Sequence, residues 1–218
     1  MKRFLRKFHR SGTSAPPSLP AAYAPEPTVK PGVEPFLRFL SLYRQAGFTR
    51  VLECGTLQSQ PGRPTHHMGH FPEATPETYV KTDIFPGPDV DVVADLHCLP
   101  WAWTGRFHGF IAVAVWEHLQ RPWVAAREAA RVLAPGGLAY VCTHQCFPLH
   151  GYPSDYFRFS KEALALIFAD AGLEILSADY DHRCMIVPPA DVVPPEGVAG
   201  WNREFPSYIL VSIVARKP

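Results

Sequence analysis

Residues 107–150 read FHGFIAVAVWEHLQRPWVAAREAARVLAPGGLAYVCTHQCFPLH, and the reading of this stretch decides the fold. Phe107–Val115 is apolar apart from His108 and Gly109, the pattern of a strand covered on both faces. Glu117 and His118 break the run. Pro122 then suits the first turn of a helix, where a missing N–H costs nothing. Ala125, Ala129, Val132 and Leu133 recur at helical spacing, with Arg127, Glu128 and Arg131 facing outward. Pro135-Gly136-Gly137 ends the helix, and Leu138–Thr143 reads as the next strand. Such a strand–helix–strand unit predicts a right-handed parallel crossover.

The same alternation extends outward. Upstream, Phe36, Phe39, Leu40 and Tyr43 predict a helix with one buried face, opened by Pro31-Gly32 or Pro35 and closed by Gly47. Arg50–Cys54 reads as a strand with Gly55 at its carboxyl end, where open α/β sheets bind ligands. Tyr79–Ile84 and Val90–Leu96 are the next two strands. Pro61, Pro64, Pro72 and Pro76 forbid a long helix between Thr56 and Thr78. Downstream, Ser160 caps a helix that buries Ala163, Leu164, Ile167, Phe168 and Ala171 and stops at Gly172. Leu173–Asp179 and Tyr208–Ala215 are strands. The Pro-rich excursion between them reads as a lid or as edge protection.

Composition narrows the class. The chain has 218 residues, enough for one domain with a sizeable core. Residues 1–30 form a basic, Pro/Ala-rich extension, leaving 31–218 for the domain. A net charge of +1 argues against general affinity for nucleic acid or acidic membranes. No apolar run is long enough to span a bilayer. Five cysteines, an odd number, suit buried thiols in a reducing, cytoplasmic compartment better than a disulfide framework.

EHLQRPW, REAARVLAPGG and YPSDYFRFS together resemble the signature of class I S-adenosylmethionine-dependent methyltransferases, nearest the methyltransferase type 11 branch. RVLECG at 50–55 resembles that family's first motif, and VDVVADLHCLPW at 90–101 its acidic segment after the third strand. The likeness runs over roughly residues 36–175 and implies an α/β, Rossmann-like seven-stranded sheet. Its last strand would be antiparallel, with helices on both faces and the last two strands as a hairpin at one edge. Within the first motif Glu53 and Gly55 match, whereas Thr56-Leu57-Gln58-Ser59 stands where the remaining glycines would be. A non-catalytic binding module on the same fold therefore stays open as the alternative.

The resemblance implies an S-adenosylmethionine site made by Glu53, Gly55, Thr56, Asp83, Ile84, Asp95, Leu96, His97, Ala112 and Val113. Asp83, at a strand end, suits two hydrogen bonds from ribose hydroxyls, or else a turn cap. Nicotinamide dinucleotide is disfavoured, since no G-x-G-x-x-G follows the first strand. For a base, His144 after the fifth strand is the first choice and His118 the second, the latter serving either the transfer site or a loop carbonyl. Tyr156 and Arg158 are candidates for binding a small-molecule or sugar acceptor, with an Asp155–Arg158 ion pair pinning the loop as the simpler reading. Cys142, His144, Cys146 and His150 lack a second Cys pair, so no metal is expected there. His66, His67 and His70 read as loop histidines in solvent or lining a pocket, and Trp101 and Trp103 as core.

Overall fold

The structure, a computed structural model, describes residues 34–151 and 153–218; the basic extension at 1–30 lies outside them. Seven strands form one sheet: β1 Val51–Cys54, β2 Tyr79–Asp83, β3 Val92–Val93, β4 Phe107–Val113, β5 Leu133–His144, β6 Glu174–Cys184 and β7 Ser207–Arg216. Their order is β3-β2-β1-β4-β5-β7-β6. β1 to β5 run parallel to one another, and β7 is antiparallel to both β5 and β6. The expected antiparallel last strand and edge hairpin are present, with β6 rather than β7 at the outside.

Each face of the sheet is covered by what its side chains can bury. α1, Glu34–Gln45, lays Phe36, Phe39, Leu40 and Tyr43 over Val51, Ile111, Tyr140 and Val214. α2, Pro122–Val132, and α3, Lys161–Asp170, cover the other face with Ala125, Ala129, Leu164 and Phe168 against Leu52, Phe110 and Ile213. α3 begins as its sequence demands, the Ser160 side chain accepting the Ala163 N–H. The all-buried VLEC of β1 splits by strand alternation, Val51 toward α1 and Leu52 and Cys54 toward α2.

The segment after β1 has no regular helix, as its prolines require: only one 3₁₀ turn, Met68–His70, lies between Thr56 and Thr78. Met68, Phe71 and Ala74 pack instead on the α1 side, so an irregular loop covers that part of the sheet. Four details differ from expectation. β3 is reduced to two residues, although Asp91 and Ala94 still donate backbone bonds to Lys81 and Asp83 of β2. β5 begins at Leu133, because the Pro-Gly-Gly segment leaves α2 directly into an irregular start of the β4–β5 ladder. Glu117 and His118, which the family resemblance would put at the start of the following helix, occupy a separate 3₁₀ turn, Trp116–His118, ahead of α2. Trp103 is core, but Trp101 is 79% exposed, its ring carrying the Arg131 guanidinium 5.3 Å from the ring centre.

Register fixes where a ligand can sit. Thr82, Cys54, Ala112 and Val141 form one row across β2, β1, β4 and β5, so these strands end together. The excursion between β6 and β7, with α4 at Val198–Glu204, emerges at that same edge. Asn202 ties it down: its amide donates to the Ile186 and Val198 carbonyls and its oxygen accepts the Ile186 N–H.

Candidate active site

Gly55 turns the chain just beyond β1 at φ +80°, the left-handed region that glycine tolerates. A Cβ there would lie 2.2 Å from Val115 Cγ2, so the β1 turn and the end of β4 touch. Thr56 is buried, its hydroxyl donating to the Asp89 carbonyl at 2.8 Å. Leu57 N–H donates to one oxygen of Asp83 and Phe85 N–H to the other. Each oxygen retains acceptor capacity, since a carboxylate oxygen takes about two hydrogen bonds. Ile84 beside it is 48% exposed, an apolar surface at a strand end. Ala112 is buried and Val113 half-buried at the end of β4, and Ala114 after them has φ +54°.

Glu53 does something the motif did not announce. Its carboxylate is buried toward α1 and accepts the Tyr79 hydroxyl, the His67 N–H at 2.9 Å and the His67 ring at 2.6 Å. It is the post to which the helix-less loop is tied. Burial together with the Glu53 charge pushes the Tyr79 phenol far above its usual range, so the hydroxyl stays a donor. Tyr79→Phe leaves a buried carboxylate short of one donor and should cost about 1–3 kcal/mol. The loss would be read as a lower urea midpoint, with faster tryptic cleavage at Arg63; an unchanged midpoint would show that Glu53 does not anchor the loop.

On the β3 side, the Asp95 carboxylate accepts the His97 N–H at 2.8 Å and meets its ring at 2.7 Å. Burial raises this carboxyl's pKa, but the His97 bonds outweigh it and hold it below the usual range. The other nitrogen of His97 accepts the Arg121 N–H, joining this loop to the start of α2. The Leu96 side chain belongs to the core, which leaves only its backbone for a ligand.

The opposite end of the cleft gathers three histidines around one carboxylate. Glu117 is fully buried, and one of its oxygens accepts the Thr143 hydroxyl at 2.6 Å. The other, Oε1, lies 2.6 Å from His144 Nδ1, 3.8 Å from His118 Nε2 and 3.9 Å from His150 Nε2. Burial alone would raise the Glu117 pKa; the His144 imidazole and the Thr143 hydroxyl more than offset that and bring it down. His118 donates from Nδ1 to the Ser154 carbonyl, the loop-carbonyl alternative foreseen for it. His144 is buried and stacks on Phe147.

The loop at 145–159 holds this cluster. Arg158 grips Asp155 with two bonds of 2.5 and 2.7 Å and donates to the carbonyls of Phe147, Pro148 and Phe157. All five of its N–H groups are used, so the Asp155–Arg158 pair pins this loop, the simpler of the two readings. Tyr156 is exposed, its hydroxyl held by Gln120. Glu117 and His150 are the residues that sequence reasoning undervalued: the first reads equally well as a helix-dipole acid, the second as one member of a rejected Cys/His pattern. Cys142 is buried deeper, its thiol pushed up to about 12 by burial, and Cys146 is a free, half-buried thiol.

Residues 73–141, from the loop before β2 into β5, match the family model described as "Methyltransferase domain". That match takes in about a third of the chain and falls within the stretch that resembles the class I methyltransferases. Among solved structures, this chain is similar in fold to a SAM-dependent methyltransferase from Archaeoglobus fulgidus: 17% identity, 84% of this chain and 94% of that one, TM-score 0.52. It is also similar to 1,6-didemethyltoxoflavin-N1-methyltransferase of Burkholderia thailandensis, solved with its substrate and S-adenosylhomocysteine: 15% identity, 82% and 76%, TM-score 0.53. A third is the [4+2]-cyclase SpnF: 20% identity, 83% and 81%, TM-score 0.50. No curated protein matches the chain.

Proposed function

We propose that this protein moves a methyl group from S-adenosylmethionine to a small-molecule or sugar acceptor. The observation that supports it most is the layout of the strand ends. A carboxylate with spare acceptor capacity, Asp83, ends β2; a left-handed glycine, Gly55, ends β1; and a buried Glu–His cluster stands beyond β4 and β5. The residues fit the nucleoside end of the cofactor best. Asp83 takes the ribose hydroxyls, Ile84 gives the base an apolar wall, Asp95 and His97 close the far side, and Gly55 lets backbone approach. Ala112 and Val113 line the way to the acceptor.

The cofactor supplies an already activated methyl group, so the protein's task is alignment and exclusion of water. The Arg158–Asp155 clamp fixes the acceptor side, and Tyr156 stands exposed at its rim. Among the described residues no helix is long and apolar enough to cross a membrane.

The second reading, a binding module without catalysis, rests on Glu53 being consumed by the loop and on the missing glycines. Titrating the purified protein calorimetrically with S-adenosylhomocysteine and, separately, NAD separates the readings. We expect saturable heat with the first and none with the second. Silence toward S-adenosylhomocysteine up to millimolar concentration would favour the binding module; heat with NAD alone would favour a dinucleotide enzyme.

A further inference from the structure

The cluster at the reaction side has a feature that pairing alone does not explain. Glu117 Oε1 and His144 Nδ1 are 2.6 Å apart, both are buried, and neither makes a hydrogen bond. The Glu53–His67 pair at the same 2.6 Å does make one. The His144 N–H direction therefore misses the carboxylate, as happens when both atoms aim at a third. His150 Nε2 completes a set of three donor atoms lying within 4.8 Å of one another.

We propose that Glu117, His144 and His150 bind one divalent first-row metal ion, with His118 Nε2 facing the same carboxylate oxygen beside them. Two imidazoles and a carboxylate are the donor chemistry of zinc, manganese and ferrous iron, and fit magnesium poorly. The surroundings prepare the donors. The Ser154 carbonyl only accepts, so Nδ1 of His118 carries the proton and Nε2 faces Glu117. The Pro148 carbonyl, with Asp155, does the same for His150. Thr143 holds the other Glu117 oxygen. Carbonyl and carboxylate partners of this kind orient metal-binding histidines by fixing their tautomer. The ion would also answer the buried, unpaired oxygen of Glu117, a position that otherwise only costs stability.

The ion's role rests on the methyl-transfer reading. Protein donors leave a position open, which suits an acceptor that presents a hydroxyl. There the hydroxyl becomes more acidic and gives its proton to water. Its oxygen then bonds to the methyl carbon as the carbon–sulfur bond breaks, and the electron pair stays on sulfur as a neutral thioether.

Tag-free protein, stripped with chelator, should be titrated with zinc alone and manganese alone by calorimetry, and its bound metal counted by mass spectrometry. One ion per chain is expected, with a rise in melting temperature on addition of metal. Glu117→Gln, which keeps the shape, and His150→Ala, on the loop, should each weaken binding at least ~10-fold. His108→Ala, at the other end of β4, should bind as wild type does. No uptake of either metal at micromolar concentration, or uptake unchanged in both cluster variants, overturns the site. S-adenosylhomocysteine binding is read separately. Cofactor binding without metal uptake sinks this inference alone, and metal uptake without cofactor binding sinks only the methyl-transfer reading.

Discussion

His144→Ala should lower kcat by about 10²–10⁴-fold, the range for losing help with a proton at the reacting centre, because it removes a ring of the cluster that makes the acceptor hydroxyl more acidic. The affinity for S-adenosylhomocysteine should stay within about threefold of wild type. The two effects separate because of the sheet. Asp83 ends β2 and His144 ends β5, with β1 and β4 between them. Three strand spacings put them roughly 14 Å apart, so the proposed nucleoside end and the proposed acceptor end do not share side chains. The variant removes the ring facing Glu117 Oε1 but leaves the Thr143 bond to the other oxygen, so the fold should survive with a measurable loss in urea stability. Single-turnover assays on the true acceptor decide the matter. A rate within threefold of wild type would mean that alignment alone carries the chemistry and that His144 is a packing residue under Phe147.

Asp83→Ala should raise the Kd for S-adenosylhomocysteine about 10–100-fold. A hydrogen bond to a charged group contributes about 1.5–3 kcal/mol, and one or two of them would be lost. There is a second consequence. Leu57 and Phe85 each give their N–H to Asp83, so the variant also frees the start of the loop after β1 and the turn after β2. Asp83→Asn separates the two contributions, because its single oxygen still accepts. If affinity in Asp83→Ala stays within threefold while the protein is folded by circular dichroism, the ribose assignment fails.

The sheet was legible because buried parallel strands leave apolar runs such as Phe107–Val113, and because prolines after Thr56 forbid a helix. Faces were legible where helical spacing was clean, as at Phe36, Phe39, Leu40 and Tyr43. Trp101 was misread because a 3₁₀ turn is too short to show a periodicity, and an exposed indole under an arginine looks like core in sequence. The role of Glu53 was hidden for another reason. Its partners, Tyr79 and His67, come from a different strand and from an irregular loop, and no local pattern links them. The same holds for Glu117, His144 and His150. They meet only because the α2 crossover returns β5 alongside β4, while sequence spacing drew attention to cysteines that lie deeper or elsewhere.

The place of β7 bears on how the molecule is made. β6 is synthesised before β7 yet bonds only to β7, and β5 has no partner on that side until β7 arrives. During synthesis, then, β5 shows a bare edge from Leu138 to His144, and the two strands that will shield it are added together. On the proposed reading, the reaction end of the cleft is thus the last part of the sheet to close. A nascent chain halted inside the Pro-rich excursion would hold Asp83 and Gly55 in place and still lack a finished acceptor side.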